Sequence, residues 1–220
     1  MKGGSMDEKI LKVKEGDVVM VTDRSWLSKM IRFFTRSPGE KPSRVSHVAI
    51  VSKAGTVADA EIIEAAPTGI IRRPLRDHVG RPCVVYRRRF YDPGEKIPAI
   101  TRAKMSIFAM PDYAAARAGL MVGNVYPWWR LIAHVLDWLL FDLYLFRRVM
   151  RSSAQMECSY LVAWSYGSSI TDRPSWAVTP DDLDDWMAEN DDVWTVVAQF
   201  QILKLDAVLG LRLNNEGGIK

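Results

Sequence analysis

Hydrophobic and polar positions along the chain follow two different periods, and the change comes once, near residue 97. Ahead of it lie short β-branched runs between turn residues. Lys14-Glu15-Gly16-Asp17 reads as a turn feeding a strand at Val18–Val21. Trp26–Phe34 carries apolar residues at 26, 27, 30, 31, 33 and 34, the spacing of a short amphipathic helix. Pro and Gly make 37–42 a loop. Val45–Val51 reads as a buried strand interrupted by Ser46 and His47. Glu61–Ala65 and Ile70–Arg73 read as two strands joined by the turn Ala66-Pro67-Thr68-Gly69, and Cys83–Tyr86 as a further strand before Asp92-Pro93-Gly94.

Beyond residue 97 the period lengthens. Ile100–Leu120 reads as helical, punctuated by Pro111. Trp128–Met150 reads as one long apolar helix, and Met156–Tyr166 as another. Val193–Leu205 returns to strand composition and rejoins the sheet. Strands first, helices later and one closing strand predict an α+β domain over 6–206, with a helical insertion at about 97–150. Residues 1–5 read as a cloning remnant ahead of the second methionine, Met6.

The long helix raises the question of a membrane. From Trp129 to Phe146 it would reach about 27 Å, close to the hydrocarbon thickness of a bilayer. Arg130, His134 and Asp137 form one polar stripe at i, i+4 and i+7, and Asp142 adds a charge. Each central charge costs about 2.5–3.5 kcal/mol on insertion scales. A core helix, or one lying on a membrane surface through 128–151, fits better than a spanning one. The N-terminus carries no signal peptide, which places the chain in the cytoplasm unless a leader was cut away before Met6.

Composition narrows the classes further. Hydrophobic residues at 48% and charged residues at 25% of 220 exclude a disordered tail or a fibre. Two cysteines exclude a disulfide scaffold, and with three histidines they make a structural zinc site an unfavoured reading. The net charge is +4, with the basic excess in the first hundred residues. No aromatic-plus-basic motif accompanies those arginines, so no nucleic-acid partner is expected. The sequence leaves the oligomeric state open.

Among the scarce reactive residues, Cys158 falls in the first turn of the helix expected from residue 156. There the backbone N–H groups and the macrodipole favour the thiolate. His47 is a polar ring on an apolar strand, read either as a satisfied core histidine or as a base aimed at a cleft. Glu64 interrupts the next strand. It can orient an imidazole on its neighbour, or sit as an edge-strand glutamate in water. Cys83 reads as a strand residue, His78 as a loop residue with no role demanded by spacing, and His134 as structural.

These residues carry a resemblance. The phrase SHVAIV, then IIEAAPTGI, and far downstream ECSYLVAWSY resemble the NlpC-type papain-like cysteine peptidases in circularly permuted order. In the unpermuted family a Cys helix with a DCSGL signature precedes a strand like HVGIY and a next strand like IHA. Here the His strand comes first and the Cys helix last, as in the YiiX-like branch. GDVVMV and WLSKMIRFFT are similar to that branch's first strand and following helix. The resemblance covers about 14–90 and 120–200.

It implies a papain-like fold, a central antiparallel sheet or half-barrel packed against helices that include the Cys-bearing one. It implies Cys158 as nucleophile, His47 as base and Glu64 as orienter, with no cofactor and no metal. Glu157 and Ser159 stand where relatives receive a substrate's free amine, with Glu for Asp and with Tyr160 for the usual Gly. Tyr126 resembles a cleft tyrosine. The implied activity is a cysteine amidase or peptidase acting on small, cell-wall-type peptides. Two alternatives stand beside it: a lipid-directed thiol acyltransferase or thioesterase of the lecithin retinol acyltransferase type, and a catalytically silent binding module.

Overall fold

A computed structural model describes residues 12–34, 43–78, 80–89, 98–101, 110–126, 128–140, 145–149, 156–167 and 174–201. The chain is α+β: a six-stranded antiparallel sheet packed against helices. Its strands are β2 (Val18–Val21), β3 (His47–Lys53), β5 (Glu61–Ala66), β6 (Gly69–Pro74), β7 (Pro82–Arg88) and β8 (Trp194–Gln201), in the order β6-β5-β3-β2-β7-β8. A small antiparallel ribbon pairs β1 (Lys12–Val13) with β4 (Gly55–Thr56). The helices are α1 (Trp26–Phe34), α2 (Pro111–Leu120), α3 (Trp128–Leu139), α4 (Leu145–Val149), α5 (Cys158–Tyr166) and α6 (Pro180–Glu189). Single-turn 3₁₀ helices lie at Leu75–His78 and Ser175–Ala177.

The sheet buries both faces, which explains why its strands read as apolar runs rather than clean alternations. Val18, Met20, Val48, Ile50, Ile63 and Ala65 join α5, α2 and α6 in the larger core cluster. Their sequence neighbours Val19, Val21, Ala49, Val51 and Ile62 face the other way, onto Val13, Val57, Ala60 and Leu75. Alternate residues go to opposite faces because strand side chains have a period of two.

Helix α5 lies in the middle of the helical layer. It packs on β3 and β5 below, and touches α2, α6 and the turn Ser175–Ala177. All but one of its residues are buried, matching a sequence with no polar stripe. The buried Ser165 hydroxyl donates to the Leu161 carbonyl one turn back. Gly167, at φ +104°, ends the helix. The tyrosine Tyr166 anchors its far end by donating to the Gly16 carbonyl. Gly16 itself has φ +80° and lies so close to Pro111 that no side chain fits there.

Several boundaries differ from the sequence reading. The long helix expected over 128–150 stops at Leu139 and restarts as α4, whose Phe146 N–H is accepted by the buried Asp137 carboxylate. A carboxylate meeting an early N–H of a helix is a capping interaction, so Asp137 starts a new element instead of decorating a stripe. The Arg130 and His134 side chains, Asp142 and the segment 102–109 lie outside the described residues. No described helix is long and apolar enough to cross a membrane. Helix α6 was not expected. Thr179 and Asp182 form a capping box around Pro180, and the cluster Asp181, Asp182, Asp184 and Asp185 is that helix's own composition.

Candidate active site

Cys158 and His47 come from the opening residues of two elements. Cys158 is the first residue of α5, after Glu157 in extended conformation at the N-cap. His47 is the first residue of β3, paired with Val21 of β2. Along β3, His47 shares the parity of Ala49 and Val51, which face away from α5. The two side chains nonetheless meet, because helix and strand both begin at the same end of the sheet. The Cys158 thiol lies near enough to the His47 imidazole to stabilise its charged form.

Glu64 lies on the neighbouring strand, directly opposite Ala49 in register. Ala49 leaves room above it, so the diagonal neighbour His47 reaches across the same face. His47 Nε2 is 2.7 Å from Glu64 Oε2, which leaves Nδ1 as the nitrogen for the sulfur. Glu64 is only 2% exposed, so the edge-glutamate alternative does not hold. Burial alone would push its carboxyl up. The hydrogen bonds and charges of His47 and His78 outweigh that and hold it well below the usual carboxylate range.

The same balance works in reverse on His47. Burial disfavours the imidazolium, but Cys158 first and Glu64 second stabilise it, raising its pKa to about 10. The ring is thus held at Nε2 by a carboxylate, which leaves Nδ1 as the nitrogen for a second partner.

Three groups given no role in the sequence expectations complete the cluster. His78, read as an uninvolved loop residue, is buried, with Nε2 2.8 Å from the same Glu64 Oε2. Arg81 stands 2.9 Å from His78 Nδ1. Arg73, on β6, brings Nε to 2.7 Å from Glu64 Oε1, an ion pair off the angle of a directed hydrogen bond. The sequence signal for His78 was weak: a histidine closing a turn whose first residue, Leu75, is apolar and buried.

His47, Glu64 and His78 place three potential metal-ligand atoms within 4.8 Å of one another. Their arrangement is that of a hydrogen-bonded carboxylate, since both Nε2 atoms converge on a single oxygen. Two guanidinium groups adjoin it, and they oppose an added cation.

The other expected site residues divide. Tyr126 lines a cavity of about 260 Å³ together with His47, Glu64, Ser46, Arg73 and Arg81. Its loop is tied to β6 by hydrogen bonds between Gly123 N–H and the Ile70 carbonyl and between Ile70 N–H and the Asn124 carbonyl, both 2.8 Å. Glu157 and Ser159 are buried and do not line that cavity. The Ser159 hydroxyl donates to the Val178 carbonyl at 2.8 Å, so it joins α5 to the segment before α6. Cys83 lies on β7 in the second core cluster, its thiol 3.5 Å from the Arg81 carbonyl and pushed up to about 12 by burial.

The sequence matches no protein-family model, and a search of curated proteins returns no match.

Proposed function

We propose that this chain is a cysteine-dependent amidase or peptidase of the permuted papain-like kind, with Cys158, His47 and Glu64 as nucleophile, base and orienter. The observation that carries the reading is the His47 ring, held at Nε2 by the buried Glu64 carboxylate and stabilised in its charged form by the nearby Cys158. A thiol, an imidazole and an orienting carboxylate in that order form the arrangement that activates a nucleophile.

In the reaction, His47 Nδ1 takes the proton from Cys158 Sγ, and the sulfur forms a bond to the amide carbonyl carbon. The carbonyl electron pair moves onto oxygen. The helical ladder of α5 begins with Leu161 N–H bonding to the Glu157 carbonyl at 2.9 Å, so the helix provides no acceptor for the Cys158 N–H. That N–H and the positive end of α5 face the oxyanion. Collapse breaks the C–N bond and His47 returns its proton to the leaving amine. Water then attacks the thioester, His47 takes its proton, the C–S bond breaks and the thiol is restored.

The substrate class is a small peptide of the cell-wall type, with a free amine near the scissile bond. A cavity of about 260 Å³ beside His47 suits a group smaller than a drug-sized ligand, for which pockets start near 300 Å³. Of the two amine acceptors implied by the resemblance, Glu157 is the one whose charge would matter. Ser159 already serves the Val178 carbonyl.

A second reading has one observation in its favour. Trp26, Met30 and Phe33 on α1 and Trp129, Ile132 and Leu139 on α3 are exposed apolar side chains on helices that touch each other. Such a surface suits a lipid-directed thiol acyltransferase. One experiment separates the two: short peptides with a free amine, their N-acetylated forms and long-chain acyl esters compete for acylation of Cys158, read by intact mass. The amidase reading expects the free-amine peptides to win by roughly ten- to a hundredfold, the effect of one charge-assisted contact. Indifference to acetylation together with ready acylation by long-chain esters would replace it with the acyltransferase.

A further inference from the structure

We infer that His78, fixed in one tautomer by Arg81, is the positioning residue that aims Glu64 at His47; the inference rests on the proposed thiol chemistry and concerns how its orienter is held. The chain of reasoning starts from what each group can donate. A guanidinium has only donors. Arg81 at 2.9 Å from His78 Nδ1 therefore meets a lone pair, and the His78 proton sits on Nε2. That N–H points at Glu64 Oε2, 2.8 Å away.

Glu64 Oε2 thus receives two imidazole donors, one from His47 and one from His78, while Oε1 faces Arg73. The carboxylate lies between two competing attractions. Turning toward Arg73 would strengthen the ion pair on β6 and lengthen the bond to His47. The His78 N–H opposes that rotation, because it holds Oε2 on the His47 side. A buried imidazole is suited to this role: it comes from the 3₁₀ turn Leu75–His78 and is only 1% exposed, so little solvent competes for its proton. The other titratable groups facing the cluster are the Cys158 thiol on α5 and Asp23, whose carboxylate is 3.9 Å from the Arg81 guanidinium. Asp23 and Arg81 both line the cavity, and the series His47–Glu64–His78–Arg81 lies along its wall.

The alternative is that His78 only fills space under the turn. Proton and nitrogen NMR of the three histidines in the full chain distinguishes the two, with or without a substrate. In the wild type, the His78 nitrogens are expected to show the Nε2–H tautomer. The His47 Nε2–H proton should exchange slowly with water. His78→Leu keeps the bulk and removes the donor, so exchange of the His47 proton should quicken by roughly ten- to a hundredfold, the value of a hydrogen bond to a charged group. His78→Gln places an amide N–H where Nε2 stood and should restore slow exchange.

An Nδ1–H tautomer at His78 in the wild type would overturn the inference even if His78→Leu does not fold. So would a folded His78→Leu chain whose His47 proton exchanges at the wild-type rate, or a folded His78→Gln chain that behaves like the Leu variant. Failure of Cys158 to take up any acyl group would instead remove the proposed function, and these NMR results would be unaffected.

Discussion

The two cysteines occupy opposite ends of what a buried thiol can be. Cys158 begins a helix, is 8% exposed and touches an imidazole backed by a carboxylate. Cys83 sits inside a strand between β2 and β8, 2% exposed, with the Arg81 carbonyl as its partner. Burial pushes the Cys83 thiol up to about 12 despite the charge of Arg81 nearby. The difference is one of place in the fold. A strand interior offers a side chain only its cross-strand neighbours and an apolar layer. The start of a helix beside the start of a strand brings together N–H groups and a ring.

The largest expected effect follows directly. Cys158→Ala should lower hydrolysis by roughly 10⁴-fold or more, as loss of a nucleophile does elsewhere. Cys83→Ala should leave turnover intact and cost only about 1 kcal/mol of stability, measured by urea unfolding. Glu64→Gln comes next. It keeps the shape but removes the charge facing His47 and Arg73, and replaces an acceptor by a group that can donate. A fall in kcat of about 10²–10⁴-fold is expected, with KM much less affected.

Much of this contrast was legible in the sequence. The β-branched runs located every strand of the main sheet to within a few residues, because buried strands leave little room for polar side chains. The helix expected over Met156–Tyr166 starts two residues later, at Cys158, and ends where expected. Two things were not. Helix α6 was obscured by its acidic residues, although Thr179-Pro180-Asp181-Asp182 holds the capping signal. His78 was obscured for a deeper reason. Its partner Glu64 is 14 residues away across a turn and a strand, and no local spacing specifies a contact made by a sheet register.

The pH dependence of stability sharpens the comparison further. The folded-state pKa of His47 is raised above its unfolded value of about 6.5, so its stabilisation is complete below that pH and disappears as the pH rises through about 10. Glu64 has the opposite sign. Its folded value is depressed, so its contribution is present above about pH 4.3 and is lost only as the solution becomes more acidic than that. Unfolding free energy measured from pH 6 to 10 should decline, and His47→Gln should flatten that decline. An unchanged slope in the variant would mean that the imidazole gains nothing from Cys158 and Glu64 in the folded chain.

The smallest expected effect is at the cavity wall. Tyr126→Phe keeps the ring and removes a hydroxyl, so KM for a peptide substrate should rise by about two- to tenfold while kcat is nearly constant. A fall in kcat alone would move Tyr126 from binding to chemistry.

The central claim is that Cys158 is made reactive by His47, and alkylation tests it most directly. With iodoacetamide near neutral pH, peptide mapping over time should show Cys158 modified far ahead of Cys83 in the folded wild-type chain. In His47→Ala that lead should collapse, while the two cysteines of the unfolded chain should react alike. Equal rates in the folded wild type, or a Cys158 lead that survives the loss of His47, would contradict the account.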